Sequence, residues 1–301
     1  MAEHASNPLD PVHLIEHVKD ADYFQVPRAL GGQVHVPQFR DWHDVLWQPR
    51  TGVALVDQLL EPLDGHLTKF MVLEVLAACL VAVTFVCLAN RMSGGGMPRG
   101  RWWNFLETML VFIRDQVARP AIGKHDADRF LPLLWSLFFF ILVCNLLGMI
   151  PWLGSPTGAL ATTGALAMVT FLTVIGTGMV KMGVIGYWRS QVPHMELPLV
   201  LAVLLKPMVF AIEILGLVIK HFVLSVRLLA NMMAGHLVLG VLVAFVAAVG
   251  GAALPLFMGV SVASVVGAVA LSMLELFVAF LQAYIFTFLS ALFIGMAVHP
   301  H

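Results

Sequence analysis

From Phe130 to Val180 the chain runs for 51 residues without an Asp, Glu, Lys or Arg, whereas about 20 apolar residues already carry a helix across a bilayer. Polar surface elsewhere in the chain is too scarce to cover such a stretch in water. Hydrophobic residues make up 59% of the chain and charged residues 12%, against about 45–50% and about 25% in soluble domains. The stretch therefore belongs in lipid, where helices satisfy their own backbone hydrogen bonds, and the fold class is an all-α integral membrane protein with several spans. A net charge of -1 supplies no bulk field for nucleic acid, and no nucleic-acid partner is expected. Cys79, Cys87 and Cys144 all fall in apolar segments and read as packed thiols rather than disulfides or metal ligands.

Charge and turn residues divide the chain. Residues 1–67 carry ten acidic and four basic residues with six histidines. They read as an acidic extramembrane tail, with no apolar run near the start of the kind a signal peptide needs. Residues 68–301 form the membrane domain. A first span is expected over 68–90, interrupted by Glu74 and ended by the glycine-rich run after Arg91. Between Arg91 and Arg129 there are seven Arg or Lys against four acids, which places that loop in the cytoplasm and the N-terminus outside. Within it, 101–119 sets Trp102, Phe105, Met109, Phe112, Ile113 and Val117 at helical spacing, the pattern of an amphipathic helix on the membrane surface. Pro151, Gly154, Ser155 and Pro156 split the charge-free stretch into a hairpin of two spans, 130–152 and 158–180.

Two longer apolar stretches follow, 196–248 and 256–298, separated by Gly250-Gly251 and Pro255. As single helices they would be about 80 Å and about 65 Å long, against a hydrocarbon core of about 30 Å. They must be broken or steeply inclined. Pro198 and Pro207 can supply a break, but residues 208–248 contain no proline, which favours long oblique helices. The C-terminal residues then fall on the cytoplasmic side.

The charges inside the first of these stretches recur every seven residues: Lys206, Glu213, Lys220 and Arg227. On a helix they share one face over about 31 Å, and Asn231 extends the row by a turn. Ionised groups near the bilayer centre cost at least about 2.5–3.5 kcal/mol each, so the face must meet water or a protein. Snorkelling of Lys206 and a structural Glu213–Lys220 pair are the plainer alternatives. Arg227 stands apart, because it stays protonated and has only apolar neighbours until Asn231 and His236. The last stretch holds one Asp, Glu, Lys or Arg, Glu275, with Ser272 and Gln282 on the same face. His236 and Glu275 can both take and release protons, so the pattern favours an ion path over a substrate pocket.

The segment Ser225-Val-Arg-Leu-Leu-Ala-Asn-Met-Met-Ala-Gly-His closely resembles the arginine-bearing helix of the F-type ATP synthase subunit a family. Cys144-Asn-Leu-Leu-Gly-Met-Ile-Pro, Val180-Lys-Met-Gly-Val-Ile-Gly, Lys206-Pro and Leu281-Gln-Ala-Tyr-Ile-Phe extend the resemblance over most of the chain after about residue 65. It implies one outer span, a surface helix, a hairpin and two long inclined helices packed against a c-ring in a bacterial plasma (inner) membrane, with the b subunits of the peripheral stalk and the lipid bilayer as further partners. It implies that Arg227 faces the ion-binding carboxylates of the ring, with Asn231 and Gln282 as polar neighbours. His236 and Glu275 stand at paired positions where the family exchanges acid and histidine, and Glu213 and Lys220 lie near the inner half-channel. The expected activity is proton or sodium-ion translocation through two half-channels, coupled to ring rotation and ATP synthesis, with no cofactor and no catalytic site of its own. One departure is that Ala159 and Ala161 stand where some members carry Asp and Asn, so the outer path relies more on Thr157, Thr162 and Thr163.

An intramembrane protease finds no constellation here, with no Asp in an apolar span and neither H-E-x-x-H nor G-x-S-x-G. For haem, His221 and His236 are the candidate pair in one helix, whereas axial ligands come from facing helices. A standalone ion channel or stator-type protein, without a ring, is the nearest competitor.

Overall fold

The computed structural model describes residues 21, 23–25, 33–36, 68–92, 100–150, 153–191, 199–251 and 253–299. Most of the acidic tail, the glycine-rich run after Met92, Pro151 and Pro198 lie outside them. Among the described residues five helices are long and apolar enough to cross a membrane. They are α1 (Lys69–Met92), α4 (Ala127–Gly148), α5 (Leu160–Met182), α7 (Leu199–Ala248) and α8 (Leu254–Val298). This is an all-α integral membrane protein. The tail contributes two short strands that the sequence did not announce, β1 (Tyr23–Gln25) and β2 (Gln33–His35), paired antiparallel with Phe24 opposite Val34.

The segment expected as a surface helix begins as α2 (Arg101–Phe112), passes through a π-helical turn (Ile113–Ala118) and finishes as α3 (Arg119–Ile122). Its apolar residues divide rather than lying on one outer face. Trp102, Phe105 and Phe112 are exposed, whereas Ile113, Val117 and Ile122 are fully enclosed with Leu134, Ile141 and Ile294 in the main core. Gly295 lets α8 come this close, because a Cβ there would overlap the carbonyl oxygen of Ala121. Gly123, at φ 103°, then turns the chain into α4 in a conformation that favours glycine.

Helix ends depart from the hydropathy boundaries for local reasons. The span read as 130–152 is Ala127–Gly148. Its start takes in Asp128 and Arg129, which charge-counting excluded, because Asp128 pairs with Arg114 at 3.6 Å and Asp126 collects Lys181 at 3.2 Å and His299 at 3.3 Å. Those contacts bring the start of α4, the end of α5 and the C-terminus to one end of the bundle. At the other end α4 stops at Gly148, which packs against Ser155 with no room for a side chain. A 3-10 turn (Pro156–Gly158) leads into α5, and α6 (Val184–Ser190) follows α5, with Tyr187 filling the notch left by Gly178.

Neither long stretch is broken. Helix α7 runs 50 residues with Pro207 inside it, and α8 runs 45 with Pro255 in its first turn, where a missing N–H leaves no helical bond unmade. They correspond to about 75 Å and about 68 Å of helix. Helix α8 packs against α4, α7 and α5; α5 packs against α7, and α1 against α4. Cys144 is fully buried, but Cys79 and Cys87 are exposed on α1. They are outward-facing thiols, a correction to the packing expected of all three.

Candidate functional site

On α7 the seven-residue repeat keeps its charges on one side. Lys206, Glu213, Lys220 and Arg227 are all exposed, among exposed apolar neighbours such as Met208, Ile212, Leu215, Ile219 and Val223. Glu213 and Lys220 form no ion pair with each other. Among the described residues Arg227 has no ion pair or hydrogen bond through its guanidinium. An adjoining side of α7 carries Leu224, Ser225, Leu228 and Met232, all buried, so the helix has an inner face against α5 and α8 beside the exposed charged row. Asn231, one turn after Arg227, is half-buried, and its Nδ2 is enclosed with no hydrogen-bond partner among the described residues.

Farther along α7, His236 meets Glu275 of α8, with Nδ1 3.8 Å from Oε1. Each ring nitrogen of His236 also meets a backbone carbonyl: Nδ1 lies 2.9 Å from the oxygen of Met232 and Nε2 2.9 Å from that of Gly148. Glu275 is buried, and among the described residues its Oε1 has no hydrogen-bond donor. The close approach depends on Gly235, where a side chain would overlap Oε1 of Glu275. Gln282, two turns along α8, is also buried, and its Nε2 has no partner among the described residues. Ser272 is half-buried beside Met149 and Val265.

Side chains from the hairpin surround this seam with hydroxyls and amides. Thr157 Oγ1 donates to Asn145 Oδ1 at 2.8 Å and shares a 2.7 Å bond with Ser155, while Asn145 Nδ2 reaches the carbonyl of Ala279 on α8 at 3.4 Å. Ser225 Oγ donates to Thr163 Oγ1 at 3.0 Å, and Thr162 donates to Glu74 of α1. Sequence reasoning named the three threonines but passed over Asn145, Ser225 and Glu74. The available signal was composition alone, isolated polar residues within apolar stretches. Which of them meet depends on how the helices pack.

His221 lies elsewhere. It is buried between Phe171 at 5.2 Å and Phe293 at 5.0 Å between ring centroids, with Nδ1 against the carbonyl of Leu217. Aromatic rings flank it on two sides, and no other histidine approaches it among the described residues. In the same residues no three His, Cys, Asp or Glu side chains cluster as metal ligands would.

The family described as "ATP synthase A chain" matches residues 71–295. The protein named ATP synthase subunit a from Myxococcus xanthus (strain DK1622) is 39% identical over 94% of this chain and 92% of its own length. Its namesake from Anaeromyxobacter sp. (strain Fw109-5) is 36% identical over 96% of this chain and 70% of its own length. That from Chloroherpeton thalassium (strain ATCC 35110 / GB-78) is 37% identical over 86% and 74%.

Proposed function

Because the chain belongs to the ATP synthase subunit a family, which translocates ions in the membrane sector and associates with the c-ring, we propose that it couples ion flow to rotation of that ring through two half-channels. The observation that carries this reading is the placement of Arg227: a permanent cation on the outer face of a membrane helix, without a partner among the described residues. In lipid such a group is costly, and a carboxylate from a neighbouring chain removes that cost. The row Lys206, Glu213, Lys220, Arg227 marks the ring-facing side of α7.

The outer half-channel runs along the seam of α7 and α8. An ion from the outer water reaches His236 and Glu275, passes the amides of Gln282 and Asn231, and neutralises a ring carboxylate, which can then turn into lipid. After nearly a full turn the carboxylate meets the inner half-channel near Glu213 and Lys220, loses its ion, and is held as the anion by Arg227. The guanidinium also keeps the half-channels apart, since a fixed cation in a low-dielectric seam repels an ion crossing directly. The driving force is about 2.3 kcal/mol per charge per 100 mV, plus the concentration term. Selectivity for H+ or Na+ resides in the ring carboxylate site.

With helices of about 75 Å and about 68 Å in a core of about 30 Å, α7 and α8 lie steeply inclined and follow the curvature of the ring. The Asp126 end of the bundle, with the basic loop, is cytoplasmic, and the Gly148 end faces outward in a bacterial plasma membrane. Lipid and the b subunits of the peripheral stalk cover the exposed apolar faces of α1 and α5.

The test is Arg227→Gln in vesicles carrying the whole complex. The variant is expected to assemble and to lose proton-driven ATP synthesis; Arg227→Lys is expected to rescue poorly, because an ammonium is strongly hydrated and gives up its proton on burial more readily. Normal coupled synthesis in Arg227→Gln would end the ring-facing assignment. Selective purification without a ring of small subunits would favour a standalone channel instead.

A further inference from the structure

Helix α1 carries one acid, Glu74, five residues after its start at Lys69. A carboxylate on the lipid side of a span is costly, and this one is half-buried and turned toward the hairpin, where Thr162 Oγ1 donates to its Oε1. Thr162 is followed by Thr163, fully buried, and Thr163 Oγ1 accepts from Ser225 on α7, two residues before Arg227. Consecutive threonines of α5 thus meet the carboxylate of α1 through Thr162 and Ser225 of the arginine-bearing helix through Thr163. None of these groups is needed to hold the helices by apolar packing, and Ala or Leu would serve that purpose without the expense of buried hydroxyls. The three acid or histidine side chains at this end of the bundle, among the described residues of the spans, are His236, Glu275 and Glu74. The first two are taken up by the path already described.

We propose that Glu74 is the first ion-exchange group of the outer half-channel, a carboxylate supplied by α1 that takes an ion from the outer water and passes it along the polar face of Thr162, Thr163 and Ser225 toward α7. This inference rests on the half-channel reading above and adds to it a second limb, separate from His236 and Glu275. The step balances without a co-reactant. The carboxylate binds one H+ or Na+ at the outer side, releases the same ion inward, and returns to its anionic form, which accepts the Thr162 hydroxyl bond again. Hydroxyls suit such a face because each can donate to an anion or accept from a hydrated cation by rotating about one bond.

Glu74→Gln keeps the size and the hydrogen-bond acceptor but not the charge; Thr162→Val removes the hydrogen bond but leaves the acid. Per assembled complex, Glu74→Gln is expected to slow proton-driven ATP synthesis in vesicles by about tenfold, less than the about 10²–10⁴ of a lone proton-transfer group because the His236 limb remains. Thr162→Val is expected to slow it less. A Glu74→Gln rate equal to wild type, or a Thr162→Val loss as deep as that of Glu74→Gln, overturns the proposal and leaves the pair a packing contact. As a measurement independent of rate, Glu74→Cys in a chain with Cys79, Cys87 and Cys144 replaced is expected to react with a membrane-impermeant thiosulfonate added to the outer side of the assembled complex. Protection from that reagent also overturns it. Arg227→Gln in the same vesicles separates the two levels: if it is inactive while Glu74→Gln is normal, only the Glu74 limb fails, whereas normal synthesis in Arg227→Gln removes the half-channel reading beneath it.

Discussion

Replacing Gly235 by alanine tests whether the His236–Glu275 contact is built by close packing of α7 on α8. The added methyl would overlap Oε1 of Glu275 and stand 2.8 Å from its Cδ and 3.2 Å from its Cγ. The carboxylate is buried, so it cannot simply swing into open space. On an unencumbered helix, Gly→Ala stabilises by about 1 kcal/mol, and overpacking a filled site costs about 1–3 kcal/mol. The two terms place Gly235→Ala between roughly neutral and about 2 kcal/mol destabilising. Gly216 lies on the same helix with nothing within 4 Å of the position its Cβ would take; Gly216→Ala is therefore the control, expected to stabilise by about 1 kcal/mol. Heating the purified complex and following loss of assembled protein should rank Gly216→Ala above Gly235→Ala. Proton-driven ATP synthesis should fall in Gly235→Ala, because Glu275 is pushed off its 3.8 Å contact with His236. In a Glu275→Ala background the space is free, and the stability cost of Gly235→Ala should vanish as a coupling term in the double-mutant cycle. Identical melting and transport for the two alanine variants, with no coupling to Glu275, would refute the packing argument.

The exchange His236→Glu with Glu275→His preserves one acid and one histidine in the same space. It should retain more ion transport than either single change, and strictly additive losses would show that the two side chains do not share a site. Gly295→Leu should prevent assembly, because its side chain would enter the backbone of Ala121; the amount of complex recovered from membranes measures this. Asp126→Asn weakens contacts to Lys181 and His299 that are about half exposed, so its effect on thermal stability should stay within about 1 kcal/mol. A larger loss would mean that these ion pairs are shielded from solvent.

The membrane class, the number of spans and the seven-residue row of charges were all determined by sequence. They depend on properties that repeat along one helix: hydropathy over a span, and the angle between residues seven apart. The helix ends were less legible. Gly148 ends α4 because Ser155 packs on it, and α4 starts at Ala127 because Asp126 and Asp128 find cations on other segments. The π-helical turn at Ile113–Ala118 and the burial of Ile113 and Val117 likewise follow from contact with α4 and α8. A reading of one amphipathic face could not anticipate them. In the candidate site the sequence singled out His236 and Glu275, 39 residues apart, as groups able to exchange protons. Tertiary structure alone decided that they meet, through the space left by Gly235, and that Glu74 turns inward to Thr162. Periodicity specifies which side of a helix a residue occupies. Only packing specifies which helix that side faces, because the bilayer offers every apolar face the same environment, and small residues and polar contacts choose among the possible neighbours.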